Sequence, residues 1–443
     1  MARRAGLLSS FAVYGDRRML AILLMGFSSG LPLLLGFSTL SYWLSAEGVD
    51  RTTIGLFAAV ATPYAFKFAW APLIDQVRLP VFQRLFGRRR GWMLFLQILL
   101  AGAIAWLGTS DPLGDPAGMA AIAVLVAFLS ASQDIVVDAY RIEVLRSDEQ
   151  GAGSAVTQFG YRIGMIAAGA GALALSDLLP WTVVYAIMAA LVVIGMAGAL
   201  IGPEPERVDE PESDAAATGG LSQAGRWLKR AVVDPFADFL TRPGWLLILL
   251  FVLLYKYGDA VAGAMANPFY QELGFTGLEI GSVTKVFGVV ATLVGVFVGG
   301  ALCARFGIVR ALVIGGLLQA VTNLLYAWMA YSGKDLGLLA VVVGADNFTG
   351  GVGSAAFVAY LSSLCNVAFT GTQYALLSSF MAFGRTLLST GSGWLVDQIG
   401  WGPFFVATTL LAVPGLVLLY WIVRLDPGRP ARAGGGYSVP KAS

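Results

Sequence analysis

The sequence predicts an all-helical, polytopic membrane protein, and this prediction rests on its composition and on the arrangement of its apolar residues. Of the 443 residues, 57% are hydrophobic and 13% are charged, whereas a soluble domain has about 25% charged residues. The apolar residues form long continuous runs, which excludes a transmembrane β-barrel because barrel strands are short and alternate in polarity. A formal net charge of +2 is too small to indicate a nucleic-acid partner.

Twelve apolar runs are long enough to cross about 30 Å of hydrocarbon, a distance that takes roughly 20 helical residues. They lie near 18–45, 52–74, 92–109, 117–146, 151–177, 180–202, 244–272, 279–303, 308–331, 335–367, 371–400 and 401–424. Within the first run, Gly30-Leu31-Pro32 predicts a bend that a membrane helix can tolerate.

The stretch between the sixth and seventh runs differs in composition. Gly202-Pro203-Glu204-Pro205-Glu206 opens an acidic, Ala- and Gly-rich segment that is typical of a solvated linker. We therefore predict a six-helix bundle over 1–202, a linker over 203–243, a second six-helix bundle over 244–424 and a tail over 425–443. Apolar residues from Leu228 to Leu240 recur at helical spacing, which predicts an amphipathic helix on the membrane surface.

Basic residues predict the orientation of the chain. They cluster before the first run and in every second loop after it, whereas the opposite loops hold only Arg51 and Lys334. The clusters contain Arg3, Arg4, Arg17, Arg18, Arg78, Arg84, Arg88, Arg89, Arg90, Arg141, Arg146, Arg305, Arg310, Arg424, Arg429 and Arg432. The positive-inside rule then places both termini in the cytoplasm.

The two halves repeat each other in sequence. Ala139-Tyr140 aligns with Ala359-Tyr360 and Asp177 with Asp397 at a common spacing of 220 positions. Two homologous six-helix bundles around a central cavity are the arrangement of the major facilitator superfamily. That superfamily has a Gly-x-Leu-x-Asp-Arg-x-Gly-Arg-Arg signature between spans 2 and 3. This chain resembles it with a split version that includes Asp75, and again at 300–307, where Ala304 replaces the acid.

Charged residues inside the predicted spans are candidates for function, because a charge at the bilayer centre costs about 2.5–3.5 kcal/mol on insertion scales. The chain has no His, so carboxylates must carry any proton. Asp134 and Asp138 lie one helical turn apart on the fourth span, and two neighbouring carboxylates resist double ionisation. We predict that they couple transport to protons; a static Asp–Arg network with Arg141 is the alternative.

Polar groups on spans 4, 7 and 10 form the predicted substrate site, because amides, carboxylates, an amine and aromatic rings suit sugars and peptides. The substrate-binding candidates are Gln133, Tyr140, Arg141, Tyr255, Lys256, Asp259, Asn267, Asp346 and Asn347. A second set has predicted structural or gating roles: Lys67, Asp75, Arg162, Lys285 and Arg385. No metal site and no enzymatic motif is recognised, so we expect no cofactor other than the coupling proton.

Several longer motifs resemble those of the AmpG family of muropeptide permeases from Gram-negative bacteria. They include Gly26-Phe27-Ser28-Ser29-Gly30-Leu31-Pro32, Ser130-Ala131-Ser132-Gln133-Asp134, Gly160-Tyr161-Arg162 and Leu254-Tyr255-Lys256-Tyr257-Gly258-Asp259. The resemblance implies proton-driven import across the inner membrane of N-acetylglucosaminyl-1,6-anhydro-N-acetylmuramic acid, with or without its peptide. It also implies a part in peptidoglycan recycling and in β-lactamase induction, with alternating access around spans 1, 4, 7 and 10.

Other functions remain open on the residues alone. A drug exporter or an acyl-CoA-type carrier would use the same fold, and a membrane sensor that has lost transport is a further alternative. A membrane-embedded enzyme is the least favoured, since the commonest general base is absent. We expect a monomer in contact with lipid.

Overall fold

A computed structural model describes residues 12–50, 53–54, 57–206, 233–242 and 244–425, and in these ranges every regular element is helical. The tail over 426–443 and the first part of the predicted amphipathic helix lie outside the described residues. The last part of the predicted amphipathic helix is the short helix Asp234–Leu240. The all-helical membrane fold predicted from composition is confirmed.

The first half contributes six spans. They are α1 (Arg17–Ala46), α2 (57–76, in segments), α3 (Arg88–Leu107), α4 (Pro116–Val144), α5 (Gln150–Ser176) and α6 (Trp181–Ile201). The second half contributes α7 (Trp245–Glu272), α8 (Glu279–Phe306), α9 (Ile308–Ser332), α10 (Leu336–Ser363), α11 (Thr370–Ser389) and α12 (Trp401–Arg424).

Ten of these helices are long and apolar enough to cross a membrane on their own, and α2 and α11 are the other two. Segment α2 consists of short pieces, two of which have Pro63 or Pro72 in their first turn, since proline starts a helix easily but interrupts one. Helix α11 carries many hydroxyl and amide groups, and the predicted span continues as the separate helix Ser392–Ile399.

The glycines of α1 permit close contact with α5. A Cβ atom on Gly26 would lie 3.2 Å from the Cα of Thr157, and one on Gly30 would lie 2.8 Å from the Cα of Tyr161. The helix runs through Gly30-Leu31-Pro32, where a bend is predicted, and is interrupted only at Phe37. Gly30 therefore serves the packing of two helices.

Candidate transport site

A cavity of about 630 Å³ lies between the two bundles. Spans 1, 4, 7 and 10 line it as predicted, and α5, α8, α9 and α11 line it as well. Its polar lining consists of Ser29, Asp134, Asp138, Thr157, Gln158, Tyr161, Arg162, Lys256, Tyr257, Asp259, Thr292, Gln319, Tyr326, Asp346, Asn347, Ser354, Tyr374 and Arg385. Polar groups from both bundles thus face one space large enough for a small polar solute.

The first half presents two carboxylates in different surroundings. Asp134 accepts a hydrogen bond from the hydroxyl of Ser29 on α1. Asp138, one turn further along α4, lies 3.4 Å from the guanidinium of Arg141. The charge of Asp138 is therefore compensated by a cation, whereas the hydrogen-bond donor to Asp134 is a neutral hydroxyl.

The second half builds its polar cluster around a break in α7. The helix is interrupted at Tyr255 and Lys256 and resumes at Tyr257. There the ammonium of Lys256 lies 3.2 Å from a carboxylate oxygen of Asp259 and 2.8 Å from Oε1 of Gln319. A broken helix is a common way to place polar groups at the middle of a transporter.

Helix α10 supplies a second carboxylate, Asp346, and a glycine, Gly353, that leaves room for the ammonium of Lys256. Asp346 accepts a hydrogen bond of 3.2 Å from the hydroxyl of Tyr326. A Cβ atom on Gly353 would lie 3.2 Å from the Lys256 ammonium. Asn347 lines the cavity but uses its amide locally, accepting from Thr292.

Gln133, Tyr140 and Tyr255 do not line the cavity, although the sequence places them among the substrate-binding candidates. The hydroxyl of Tyr140 donates to the carbonyl of Pro203 at 2.9 Å. That of Tyr255 donates to the carbonyl of Leu312 at 2.8 Å. Gln133 is buried and accepts from a serine of α1 at 3.3 Å. Gln133 and Tyr255 join neighbouring helices and Tyr140 joins α4 to the linker, so the geometry does not support substrate contact by any of the three.

The remaining candidates are spread out. Asn267 is exposed near the end of α7 that lies opposite the arginine-rich loops. Arg141 is buried and does not line the cavity. Lys67 lies half-buried on α2, outside the cavity lining. The side chain of Lys285 lies outside the described residues. Arg162 and Arg385, for which structural pairing is one expectation, face the cavity.

Asp75 forms a polar contact between the two bundles at their arginine-rich end. Asp75 is 3% exposed, and its carboxylate accepts a hydrogen bond of 2.9 Å from the guanidinium of Arg89. Across the interface it accepts 2.7 Å hydrogen bonds from both the backbone N–H and the hydroxyl of Thr372. Thr372 lies in the first turn of α11, where backbone N–H groups lack helical partners. Asp75 thus caps a helix of the opposite bundle.

Three further contacts cross the interface at the same end. Arg141 donates to the hydroxyl of Ser362 at 3.0 Å, and its guanidinium lies 5.4 Å from the ring centroid of Tyr374. The hydroxyl of Tyr14 donates to the carbonyl of Phe297 on α8 at 3.1 Å. The cavity is therefore closed toward the side that carries the arginine-rich loops.

The chain matches the profile of the Major Facilitator Superfamily twice, over residues 7–258 and 249–439. It is 42% identical over 410 residues to the anhydromuropeptide permease of Escherichia coli (strain K12), which covers 92% of this chain and 80% of that protein. The chain belongs to the AmpG permease family of the major facilitator superfamily. A putative transporter AmpG 4 of Rickettsia conorii is 35% identical, with 93% of this chain and 97% of that protein covered.

Solved structures support the fold of this AmpG-family chain. The proton:xylose symporter XylE matches with a TM-score of 0.62 at 15% identity, over 94% of this chain and 96% of that one. The Escherichia coli fucose:proton symporter FucP matches with a TM-score of 0.64 at 12% identity, over 94% and 99%. The relatives by sequence are a permease and transporters, and this chain is a transporter rather than an enzyme.

Sequence reasoning missed most of the uncharged cavity residues of this family member. Gln158 lies four positions before Arg162 on α5, so helical spacing from that charge could have found it. Gln319 and Tyr326 lie on α9, which holds no charge near the middle of its span. Only the fold brings them to the cavity.

The linker is attached to the first bundle by Glu204. Its carboxylate accepts hydrogen bonds from the backbone N–H groups of Arg89 at 2.8 Å and Arg90 at 3.1 Å, at the start of α3. Burial nevertheless raises the pKa of Glu204 above its usual range. The beginning of the linker is thus fixed at the arginine-rich end of the first bundle.

Asp238 attaches the other end of the linker to the second bundle. It accepts hydrogen bonds of 2.7 Å from Gln373 and 3.1 Å from Asn366, and it pairs with Arg242 at 2.7 Å. Burial raises the pKa of this carboxyl, but the three donors outweigh burial and leave the pKa below its usual range. The short helix Asp234–Leu240 is therefore docked on the connection between α10 and α11.

Proposed function

We propose that this protein imports anhydromuropeptides across the inner membrane by proton-coupled alternating access. The substrate class follows from the 42% identical anhydromuropeptide permease. The single observation that carries the proposal is the cavity of about 630 Å³ with carboxylates, amides and cations from both bundles. One chain supplies both bundles and the whole cavity, so a monomer suffices for transport.

The closed end of the cavity supports the direction of transport. The inter-bundle contacts at Asp75, Arg141 and Tyr14 lie at the arginine-rich end, which the positive-inside rule assigns to the cytoplasm. The structure then corresponds to a state that receives substrate from the outside. Separation of these contacts would release the substrate into the cytoplasm, where peptidoglycan fragments are reused.

Asp134 is our candidate for the coupling carboxylate. It lines the cavity and accepts from the hydroxyl of Ser29, whereas Asp138 is compensated by Arg141. Lys67 is close enough to interact with the charge of Asp134, but the hydrogen bond to the carboxylate comes from a neutral hydroxyl, so taking up a proton breaks no hydrogen-bonded ion pair. Each net positive charge that moves inward gains about 2.3 kcal/mol per 100 mV of membrane potential, so a negative charge on the substrate offsets the gain from one proton.

Uptake into proteoliposomes tests the proposal. Labelled N-acetylglucosaminyl-1,6-anhydro-N-acetylmuramic acid should accumulate when an inward proton gradient is imposed. Asp134→Asn should reduce accumulation at least tenfold while exchange of labelled for unlabelled substrate continues, because exchange needs no net proton movement. Asp148→Asn is the matched control, since Asp148 is exposed on the loop between α4 and α5.

Two results would contradict this assignment. If the wild-type protein neither accumulates nor exchanges the disaccharide, the substrate proposal is wrong. If Asp134→Asn retains full gradient-driven accumulation, another group carries the proton, and Asp138→Asn is then the variant to compare.

A further inference from the structure

Each bundle places one guanidinium in the cavity wall. Arg162 on α5 and Arg385 on α11 both line the cavity and are exposed to it. Within the described part of the chain, neither forms an ion pair or a hydrogen bond with another residue. Both lie on helices of the membrane-spanning region, where an uncompensated charge is costly and is kept for a function.

Two other cations at or near the cavity are already compensated. Lys256 pairs with Asp259 at 3.2 Å, and Arg141 with Asp138 at 3.4 Å. Neither pair leaves a full positive charge for a ligand. Among the cationic side chains that line the cavity, Arg162 and Arg385 are therefore the two that have no ion-pair partner within the described residues.

Neighbouring residues show that both arginines lie on the cavity face of their helices. Gln158 precedes Arg162 by four positions on α5 and lines the same wall. Met381 and Ala382 precede Arg385 by four and three positions on α11 and line it too. Residues at this spacing share one face of a helix.

We propose that Arg162 and Arg385 bind the carboxylate of the substrate and so select acidic sugars over neutral ones. The inference rests on the proposed function. A muramic acid unit carries a lactyl carboxyl group, and when that group is joined to a peptide, the peptide supplies carboxylates of its own. A guanidinium offers two parallel N–H donors that match a carboxylate, which a lysine cannot do. Because one arginine comes from each bundle, a bound carboxylate would contact both halves of the transporter.

The test compares two forms of one disaccharide in exchange across proteoliposomes, which needs no proton gradient. One form is N-acetylglucosaminyl-1,6-anhydro-N-acetylmuramic acid, and the other has its lactyl carboxyl converted to the neutral methylamide. The wild-type protein should exchange the acid at least tenfold better, the order of effect expected for a charge-assisted, bidentate contact. Arg162→Gln and Arg385→Gln should each raise KM for the acid about tenfold and leave the amide unchanged.

The control is Arg310→Gln, an exposed arginine at the start of α9 and outside the cavity. Arg385→Lys should fall between wild type and Arg385→Gln, because lysine keeps the charge but loses the second donor. Equal exchange of acid and amide by the wild-type protein would overturn the inference, and this comparison needs no variant to fold. An equal loss of both forms in the glutamine variants would also overturn it. Exchange of neither form by the wild-type protein would instead refute the proposed function, and the inference with it.

Discussion

Replacement of Asp75 by Asn should release the closed, arginine-rich end of the transporter. The substitution keeps the shape of the side chain but removes its charge and replaces one acceptor oxygen with an amide. Two of the hydrogen bonds that Asp75 accepts, both at 2.7 Å from Thr372, cross from one bundle to the other. The bond from Arg89 lies within the first bundle. Of the hydrogen bonds that Asp75 accepts, only the two crossing ones are lost when the bundles separate.

The expected magnitude follows from those two bonds. A hydrogen bond to a charged group contributes about 1.5–3 kcal/mol, and Asn can still accept one of the two. The closed state should therefore lose about 2 kcal/mol relative to the open state. Since about 1.4 kcal/mol corresponds to a tenfold change in an equilibrium, the open population should rise roughly 30-fold.

Cys303 offers a native reporter for this change. It is one of only two cysteines in the chain, it is 4% exposed, and it packs against Gly151 of the other bundle. In a Cys365→Ala background, N-ethylmaleimide can react only with Cys303, and only after the bundles separate. The reaction rate reports the open population when opening and closing are faster than labelling.

Asp75→Asn should therefore accelerate labelling of Cys303 about 10- to 100-fold. Asp148→Asn should not change it, because that exposed side chain, 67% accessible, makes no contact across the interface in the described part of the protein. Unchanged labelling in Asp75→Asn would refute the reasoning, since the crossing bonds would then contribute nothing to closure. Acceleration in both variants would attribute the effect to surface charge instead.

Two further predictions concern helix packing and the linker. Gly351→Ala should lower the free energy of unfolding by about 1–3 kcal/mol, because its Cβ would lie 2.8 Å from the backbone nitrogen of Val296. Gly350→Ala should be nearly neutral, because its Cβ would meet only a side-chain amide at 3.6 Å. Thermal unfolding in detergent compares the two variants, and equal melting temperatures would contradict the prediction. Asp238 has a lowered pKa, so its contribution to docking the helix Asp234–Leu240 is full above the unfolded pKa of about 3.9 and is lost as the pH falls through the lower folded value. At neutral pH, Asp238→Asn should speed amide hydrogen exchange over 234–242 about fivefold, whereas Asp234→Asn should not. Equal protection from exchange in both variants would refute this role of Asp238.

The fold could be predicted from the sequence because its main determinants are local. Runs of about 20 apolar residues define spans, and the arginine distribution and the composition of 203–206 require no knowledge of contacts. The exceptions have local causes of another kind. Pro63 and Pro72 divide α2, and Gly30, which belongs to the motif that predicts a bend, also serves contact with α5.

The cavity could be predicted only in part, for a physical reason. A charge in an apolar run stands out because its burial is costly, and this identified Asp134, Lys256 and Asp346. The cost of burying an uncharged polar group is smaller and can be met by neighbours, so sequence cannot say which way it faces. Gln133 and Gln319 are both amides within apolar spans, yet only Gln319 reaches the cavity.

The two halves close the arginine-rich end by different means, although their sequences repeat. In the first half, Asp75 reaches the start of α11 with a buried charge. The matching position of the second half is Ala304, which has no charge to offer to the start of α5. There Gly151 instead lets α5 and α8 approach, and a Cβ on it would lie 3.2 Å from the carbonyl oxygen of Gly300. A hydrogen-bonded carboxylate has a defined geometry that is either made or broken, whereas a close-packed contact loses its attraction gradually as the helices separate. The α2–α11 side should therefore set the threshold for opening, and the α5–α8 side should follow.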